Sequence, residues 1–340
     1  MVGVLKGTSN RSKGAGQLMT MIVLIAIAAG CASALMFASF ISGALVSLLL
    51  VYFAPLPLMV AALGWGPLAA TIGGIMAATA LGAFFGLSFC IFFAVMIALP
   101  SWWLGHLALM GRPVANAALS GNGAAPAVEW YPIGRLVLWI AASAILITTA
   151  YLLTMGTDAA TIADTIRARM LQLLGRNFTT SSDEIGQRLD AVVMIIPALL
   201  SNSIMIMLAL NLLLAAKITA TSGRLHRPWP VLKSTELPPM TLAALSAAVA
   251  FCFSGGVLAM LAQTVTAALL MTYVLIGFAV LHTITLGLKG RALWLVCAYV
   301  TVLMSGGWFI LAMTVLGIAD AIFGFRQRFL QRRPPPLPVS

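Results

Sequence analysis

The chain has 340 residues, of which 61% are hydrophobic and 8% are charged, with 19 lysines and arginines against 8 aspartates and glutamates. This composition excludes a water-soluble globular protein, because too little polar surface would remain to face water. It predicts an all-α, polytopic transmembrane helical bundle of about 8 to 9 spans. The basic residues lie beside the predicted spans and in the tail, which favours a role in membrane topology over nucleic-acid binding.

The N-terminal part predicts a short basic segment followed by closely spaced spans. Residues 1–17 form a predicted cytoplasmic segment, and residues 18–104, which contain no Asp, Glu, Lys or Arg, form the first transmembrane helical block. The run AAGC ending at Cys31 is typical of a lipoprotein signal, but the apolar sequence continues beyond it, so we favour an uncleaved first span. Within this block we place helices near 18–38, 40–55, 57–80 and 82–104, with breaks at Pro55, Pro57 and residues 64–67.

A polar stretch separates this block from a second one. Residues 105–133 are rich in Gly, Ala and Pro and predict a loop. The second transmembrane helical block covers residues 134–322, with an amphipathic surface helix near 158–177 and a basic cytoplasmic loop at 217–239. Residues 323–340 form a basic, proline-rich tail. The spans of the second block are placed near 134–154, 182–216, 240–262, 265–288 and 292–322.

The positive charges predict an orientation for these spans. They place the N-terminus and the 217–239 loop in the cytoplasm and residues 158–190 outside. A single crossing by residues 292–322 would then put the arginines that follow it outside, against the same rule. Either that stretch is a hairpin turning at residues 305–307, or one earlier span does not cross. The expected location is the bacterial inner membrane, crossed several times.

Several segments together resemble a known family. They are GWGPLAA, LPSWWLGHLAL, IPALL, NLLLAAK, SGRLHRPWP at 222–230, IGFAVLH at 276–282 and the terminal GIADAIFGFRQR. The chain is similar over nearly its whole length to the YybS-like family of uncharacterised bacterial membrane proteins, in its alphaproteobacterial branch. It departs from that family at Ile276, where a glutamine is expected. The resemblance implies a multi-span fold with a distant likeness to the substrate-binding subunits of energy-coupling-factor transporters, and it implies no established activity.

Three polar side chains are candidates within the spans. His282 lies in a predicted span, where a ring nitrogen needs a hydrogen bond or a wet cavity. It is either part of a ligand or proton-relay site or a neutral histidine bonded to a neighbouring helix. Asn202 and Asn211 fall on opposite faces of a straight helix, so they cannot both line one cavity. We expect at least one of them to bond between helices.

A basic and aromatic stretch follows the sixth span. Arg224, Arg227, Trp229 and Lys233 form a candidate cytoplasmic interaction patch that could meet anionic lipid headgroups or a partner protein. Positive-inside topology explains the same charges without a partner, although it does not explain the rigid RPWP sequence. The final RRPPPLP predicts a disordered end, with a polyproline ligand as the alternative.

The last apolar stretch ends in an acidic and basic motif. On a straight helix Arg326 lies about 240° and Arg328 about 80° around from Asp320, so neither arginine is an ideal partner for the carboxylate. We therefore expect Asp320 to face outward and to take a partner from another helix or loop. Our interpretation is a helix-end lock formed by Asp320, Arg326 and Arg328, with a coupling or partner site as the alternative.

The sequence predicts no catalytic centre. It contains no combination of nucleophile, base and orienting group that an enzyme requires, so we predict a protein that is not an enzyme and that has no metal or cofactor. The leading hypothesis is a transport-related or substrate-binding membrane component, because several helices are broken by proline and glycine. The alternative is a non-catalytic scaffold or regulatory partner acting through the cytoplasmic loop and tail. The expected partners are membrane lipids and either a small-molecule substrate or another membrane protein, and not nucleic acid.

Overall fold

The computed structural model describes residues 2–113, 128–174, 183–229, 235–286, 288–304 and 307–331. These residues form an all-α polytopic bundle, as predicted. Within the described ranges, seven helices are long and apolar enough to cross a membrane, or eight if one bent pair is a single span. The helices are α1 (Val2–Ala38), α2 (Leu45–Tyr52), α3 (Pro55–Trp65), α4 (Pro67–Phe85), α5 (Leu87–Phe93), α6 (Leu99–Leu109), α7 (Ile133–Leu153), α8 (Ala159–Leu174), α9 (Asp183–Thr221), α10 (Met240–Phe251), α11 (Gly256–Ile284), α12 (Arg291–Met304), α13 (Trp308–Phe323) and α14 (Phe325–Gln331).

The chain divides into two compact units. Unit 1 contains Met1–Tyr131 and Ile206–Trp229, and unit 2 contains Pro132–Met205 and Pro230–Ser340. Helix α9 therefore contributes its first half to unit 2 and its second half to unit 1. The two blocks predicted from the sequence meet at the 105–133 loop and leave α9 undivided. The reason is that those blocks follow chain order, whereas the units are defined by contacts between residues.

Small residues and one sharp break organise unit 1. A methyl group at Gly30 or Gly73 would collide with backbone of the facing helix, so α1 and α4 pack with their backbones in close approach. Helix α3 ends before Gly66, whose φ of +95° favours glycine, and Pro67 begins α4 without needing an amide donor. The helix predicted at 57–80 is therefore two helices, divided in the stretch where a break was expected.

Unit 2 packs around α11. A methyl group at Gly277 would collide with the backbone of Met313, and one at Gly317 with that of Tyr273, so α11 and α13 cross in close contact. The apolar face of α8 is also covered by protein, because Ile162 and Ile166 are buried in one hydrophobic cluster. The amphipathic segment therefore buries at least part of its apolar face inside the unit.

The structure defines three details that the sequence left open or placed elsewhere. The break predicted near residue 263 lies at 252–255, so α10 has only 12 residues and α11 has 29. The stretch at 292–322 is divided into α12, which ends at Met304, and α13, which begins at Trp308. This division lies where one of the two sequence-based alternatives placed a turn. The ends of the 105–133 loop pair as a small antiparallel ribbon, β1 (Gly111–Pro113) with β2 (Val128–Trp130). Cross-strand pairing depends on residues distant in sequence, so local composition did not reveal the ribbon.

Candidate functional site

The terminal motif forms a bend in unit 2. Gly324 has a φ of +63° and ends α13, and its backbone N–H donates to the carbonyl oxygen of Asp320 at 2.8 Å. Helix α14 then begins at Phe325, and the two helices are bent by 65°. Because the chain turns here, Arg326 comes back towards the last turn of α13.

A buried ion pair closes this bend. The Nε of Arg326 donates to Oδ2 of Asp320 at 2.7 Å, and its backbone N–H donates to Oδ1 at 2.9 Å. The two side chains are only 6% and 3% exposed. A second guanidinium nitrogen, Nη2, donates to the carbonyl oxygen of Thr235 at 2.6 Å. The motif thus ties the end of α13 to the segment that precedes α10.

This geometry corrects the expectation for the terminal motif. Arg326 is the partner of Asp320, and Asp320 is buried rather than outward-facing. The expectation was wrong because it assumed a straight helix, whereas Gly324 ends α13 between the two residues. Arg328 is exposed and, among the described residues, takes no part in an ion pair. The stabilising role of this helix-end lock stays a prediction.

A cavity of about 410 Å³ lies beside the ion pair. Its polar lining includes both members of the pair, the exposed Arg328, and Gln327, whose Nε2 donates to Oε1 of Glu236 at 2.6 Å. Among the described residues, the Nη1 atom of Arg326 is buried without a hydrogen-bond partner. The cavity therefore combines charges of both signs, and one of its lining residues has a donor that the described protein atoms do not satisfy. Its polar lining residues are Glu236, Asp320, Arg326, Gln327, Arg328 and Gln331.

His282 is bonded to a neighbouring helix of unit 2. Its Nε2 lies 2.9 Å from the hydroxyl oxygen of Tyr299 on α12, and its backbone carbonyl accepts from Nη2 of Arg291 at 3.4 Å. This is the arrangement expected if the histidine holds two helices together. A proton-relay role for His282 stays a prediction. Within the described ranges, no three His, Cys, Asp or Glu side chains gather as metal ligands.

The two asparagines of α9 have different surroundings. Asn211 is fully buried in unit 1, and its Nδ2 donates to the carbonyl oxygens of Tyr52 at 2.8 Å and of Met207 at 2.7 Å. It therefore bonds α9 to the end of α2. Asn202, in unit 2, is half-buried, and its Oδ1 has no hydrogen-bond partner among the described residues. Neither asparagine is among the residues that line the cavity beside the ion pair.

The basic and aromatic residues after α9 form two pairs in unit 1. The guanidinium of Arg224 lies 5.0 Å from the ring centroid of Trp65, and Nζ of Lys217 lies 5.5 Å from that of Trp229. The sequence did not identify Trp65 or Lys217 as partners. The signal that could have identified Trp65 is its position at the end of a span, because indoles are enriched at membrane interfaces.

Arg227 has a different role from its neighbours in this stretch. Its guanidinium donates to the carbonyl oxygens of Ala108 at 3.2 Å and of Tyr131 at 2.9 Å. Ala108 lies in the last turn of α6, whose carbonyl groups have no partner within the helix. Burial lowers the pKa of Arg227 from its ordinary value. Of the candidate patch, Arg227 is thus a helix cap, while Lys233 lies outside the described residues.

The chain matches the model of a protein family over most of its length. A family model described as "Predicted membrane protein (DUF2232)" matches residues 31–321. No curated protein matches the chain, and no solved structure matches it.

Proposed function

We propose that this chain, which belongs to the DUF2232 family of predicted membrane proteins, is a substrate-binding or transport-related component of the bacterial inner membrane. We further propose that it is not an enzyme. We also propose that the chain is related to the alphaproteobacterial branch of the YybS-like proteins. A more distant relationship, to the substrate-binding subunits of energy-coupling-factor transporters, is part of the same proposal. The observation that carries it is the polar cavity beside α14 in unit 2.

The size and lining of the cavity support binding of a small polar solute. Small-molecule sites typically have volumes of about 300 to 1,000 Å³, and this cavity has about 410 Å³. Asp320 and Arg326 neutralise each other, and Glu236 is held by Gln327. The guanidinium of Arg328 is left to meet a ligand, so the proposed solute carries an anionic group such as a carboxylate or phosphate.

The buried ion pair gives the cavity a fixed wall. Arg326 is held at three points, by both carboxylate oxygens of Asp320 and by the carbonyl of Thr235. A rigid wall lowers the ordering cost that a ligand must offset when it binds. The pair therefore positions the cavity, while the exposed Arg328 supplies the charge that selects the solute.

The test compares the small molecules that copurify with the detergent-extracted protein. Mass spectrometry of the released compounds is expected to find an anionic solute enriched with the wild type and reduced about tenfold or more with Arg328→Gln. The matched control is Arg112→Gln, which removes another exposed arginine that is not among the residues lining the cavity. Equal recovery from wild type and Arg328→Gln, or no enriched solute at all, would contradict the proposal.

The second candidate function is a membrane scaffold or regulatory partner acting through the cytoplasmic loop and tail. The observation that favours it is the ordered pairing of Arg224 with Trp65 and of Lys217 with Trp229. Stoichiometric copurification of one protein, lost in Arg224→Gln and kept in Arg328→Gln, would favour this candidate over the first.

A further inference from the structure

We propose that the two basic–aromatic pairs of unit 1, Arg224 with Trp65 and Lys217 with Trp229, bind the phosphate of an anionic phospholipid. This site is separate from the cavity beside α14 and does not depend on its function. It takes as ligand a lipid of the membrane that the chain itself spans. The evidence is the position of the pairs, their charge and the apolar surface that continues from them.

The pairs lie where three helices of unit 1 end. Arg224 contacts Trp65, the last residue of α3, and Arg227 caps the last turn of α6. Both arginines follow the end of α9 directly. The backbone N–H groups of Arg224 and Leu225 donate to the carbonyl oxygen of Thr219 at 2.9 and 3.1 Å, which fixes the chain as it leaves α9. Arg224 is thus held over the indole by ordered backbone.

Within the part of the chain that the structure describes, the charges of these pairs have no acidic partner. In the sequence of unit 1, Glu129 is the only acidic side chain, and Arg112 binds it at 3.1 Å. Lys217 and Arg224 are both exposed, and neither forms an ion pair within the described parts of the chain. Each cation lies against an indole, which leaves its remaining N–H donors available for phosphate oxygens.

The surface next to Lys217 indicates that the anion is a lipid. Leu213 lies one helical turn before Lys217 on the same side of α9 and is 51% exposed, and Ile218 beside it is 42% exposed. An exposed apolar face on a span contacts acyl chains. A cation at the end of that face therefore stands at headgroup level, where lysine and arginine side chains meet phosphates and indoles are enriched. A phospholipid would contact the apolar face and the cations together.

The test measures lipid binding to delipidated protein in a nonionic detergent by native mass spectrometry. Phosphatidylglycerol is expected to bind the wild type, whereas phosphatidylcholine, whose headgroup is neutral overall, is expected to bind at least tenfold more weakly. The double variant Lys217→Gln/Arg224→Gln is expected to lose about tenfold or more of the phosphatidylglycerol affinity. The charge-preserving variant Lys217→Arg should retain binding, and Arg112→Gln is the matched control for loss of an exposed cation.

Three results would overturn the proposal. Unchanged phosphatidylglycerol binding by the double variant would show that the lipid binds elsewhere. Equal affinity for glycerophosphoglycerol, which has the same phosphodiester charge as the lipid without acyl chains, would identify a site for a free anion instead. Loss of lipid in the wild type on adding a copurifying acidic protein would assign the pairs to that protein. If the double variant does not fold, the single variant Arg224→Gln takes its place. A reduced preference for phosphatidylglycerol over phosphatidylcholine would then support the proposal, and an unchanged preference would overturn it.

Discussion

Breaking the buried ion pair at the α13–α14 bend should be far more costly than breaking an exposed one. In Asp320→Asn the amide oxygen can still accept the backbone N–H of Arg326, and the guanidinium keeps its bond to Thr235. The change removes the charge that balances a guanidinium whose side chain is 6% exposed. It also replaces Oδ2, which accepts from Nε of Arg326, by an amide nitrogen that can only donate. Removing one partner of a buried pair costs about 3 to 5 kcal/mol, and the surviving bonds place our expectation at about 3 kcal/mol.

The matched control is an ion pair of the same chemistry on the surface. Arg112 and Glu129 are joined at 3.1 Å, but their side chains are 82% and 59% exposed. Arg112→Gln should therefore cost less than about 1 kcal/mol. The double variant Asp320→Asn/Arg326→Gln leaves no buried charge, so it should recover most of the loss, with the coupling visible in a double-mutant cycle.

The measurement is equilibrium unfolding in mixed micelles, followed by the fluorescence of the chain's 8 tryptophans. If Asp320→Asn loses no more free energy of unfolding than Arg112→Gln, the buried pair does not stabilise the bend. A variant that kept full stability but lost the copurifying solute would show that Asp320 is a ligand-binding residue and does not act as a helix-end lock.

Three further predictions follow from other parts of the molecule. Gly317→Ala should destabilise the protein because the added methyl meets the backbone of α11, whereas Gly64→Ala, whose methyl would make only ordinary contacts, should be nearly neutral in the same unfolding assay. A cysteine placed at Ser181 should be labelled from outside intact cells and one at Ser222 should not; the reverse pattern would overturn the orientation. Asp158 caps α8, and its hydrogen bonds hold the pKa of its carboxyl below the ordinary value of 3.8. Its stabilising contribution is therefore complete above that pH and lost as the pH falls through the lowered pKa, which amide hydrogen exchange in the first turn of α8 would detect; unchanged exchange would contradict it.

Much of the fold followed from local sequence because the bilayer restricts the possibilities. A chain with so few charges must satisfy its backbone polar groups in helices, and long apolar runs must be spans. Gly66 and Pro67 marked a helix break that the structure contains, because each residue constrains its own backbone. That the chain is a membrane protein was likewise accessible from its composition, and it belongs to a family of predicted membrane proteins.

The partners of the polar residues were decided by tertiary structure. Asp320 and Arg326 pair because Gly324 turns the chain, and Arg326 also reaches Thr235, 91 residues away in sequence. Arg224 meets Trp65, and Asn211 meets Tyr52, through packing of helices far apart in the chain. Periodicity reports which side of one helix a residue occupies, but it does not report which other helix faces that side. Sequence alone therefore determined that the chain lies in a membrane and where most of its spans are. Contacts between distant segments determined the buried ion pair, the cavity beside it and the basic–aromatic pairs.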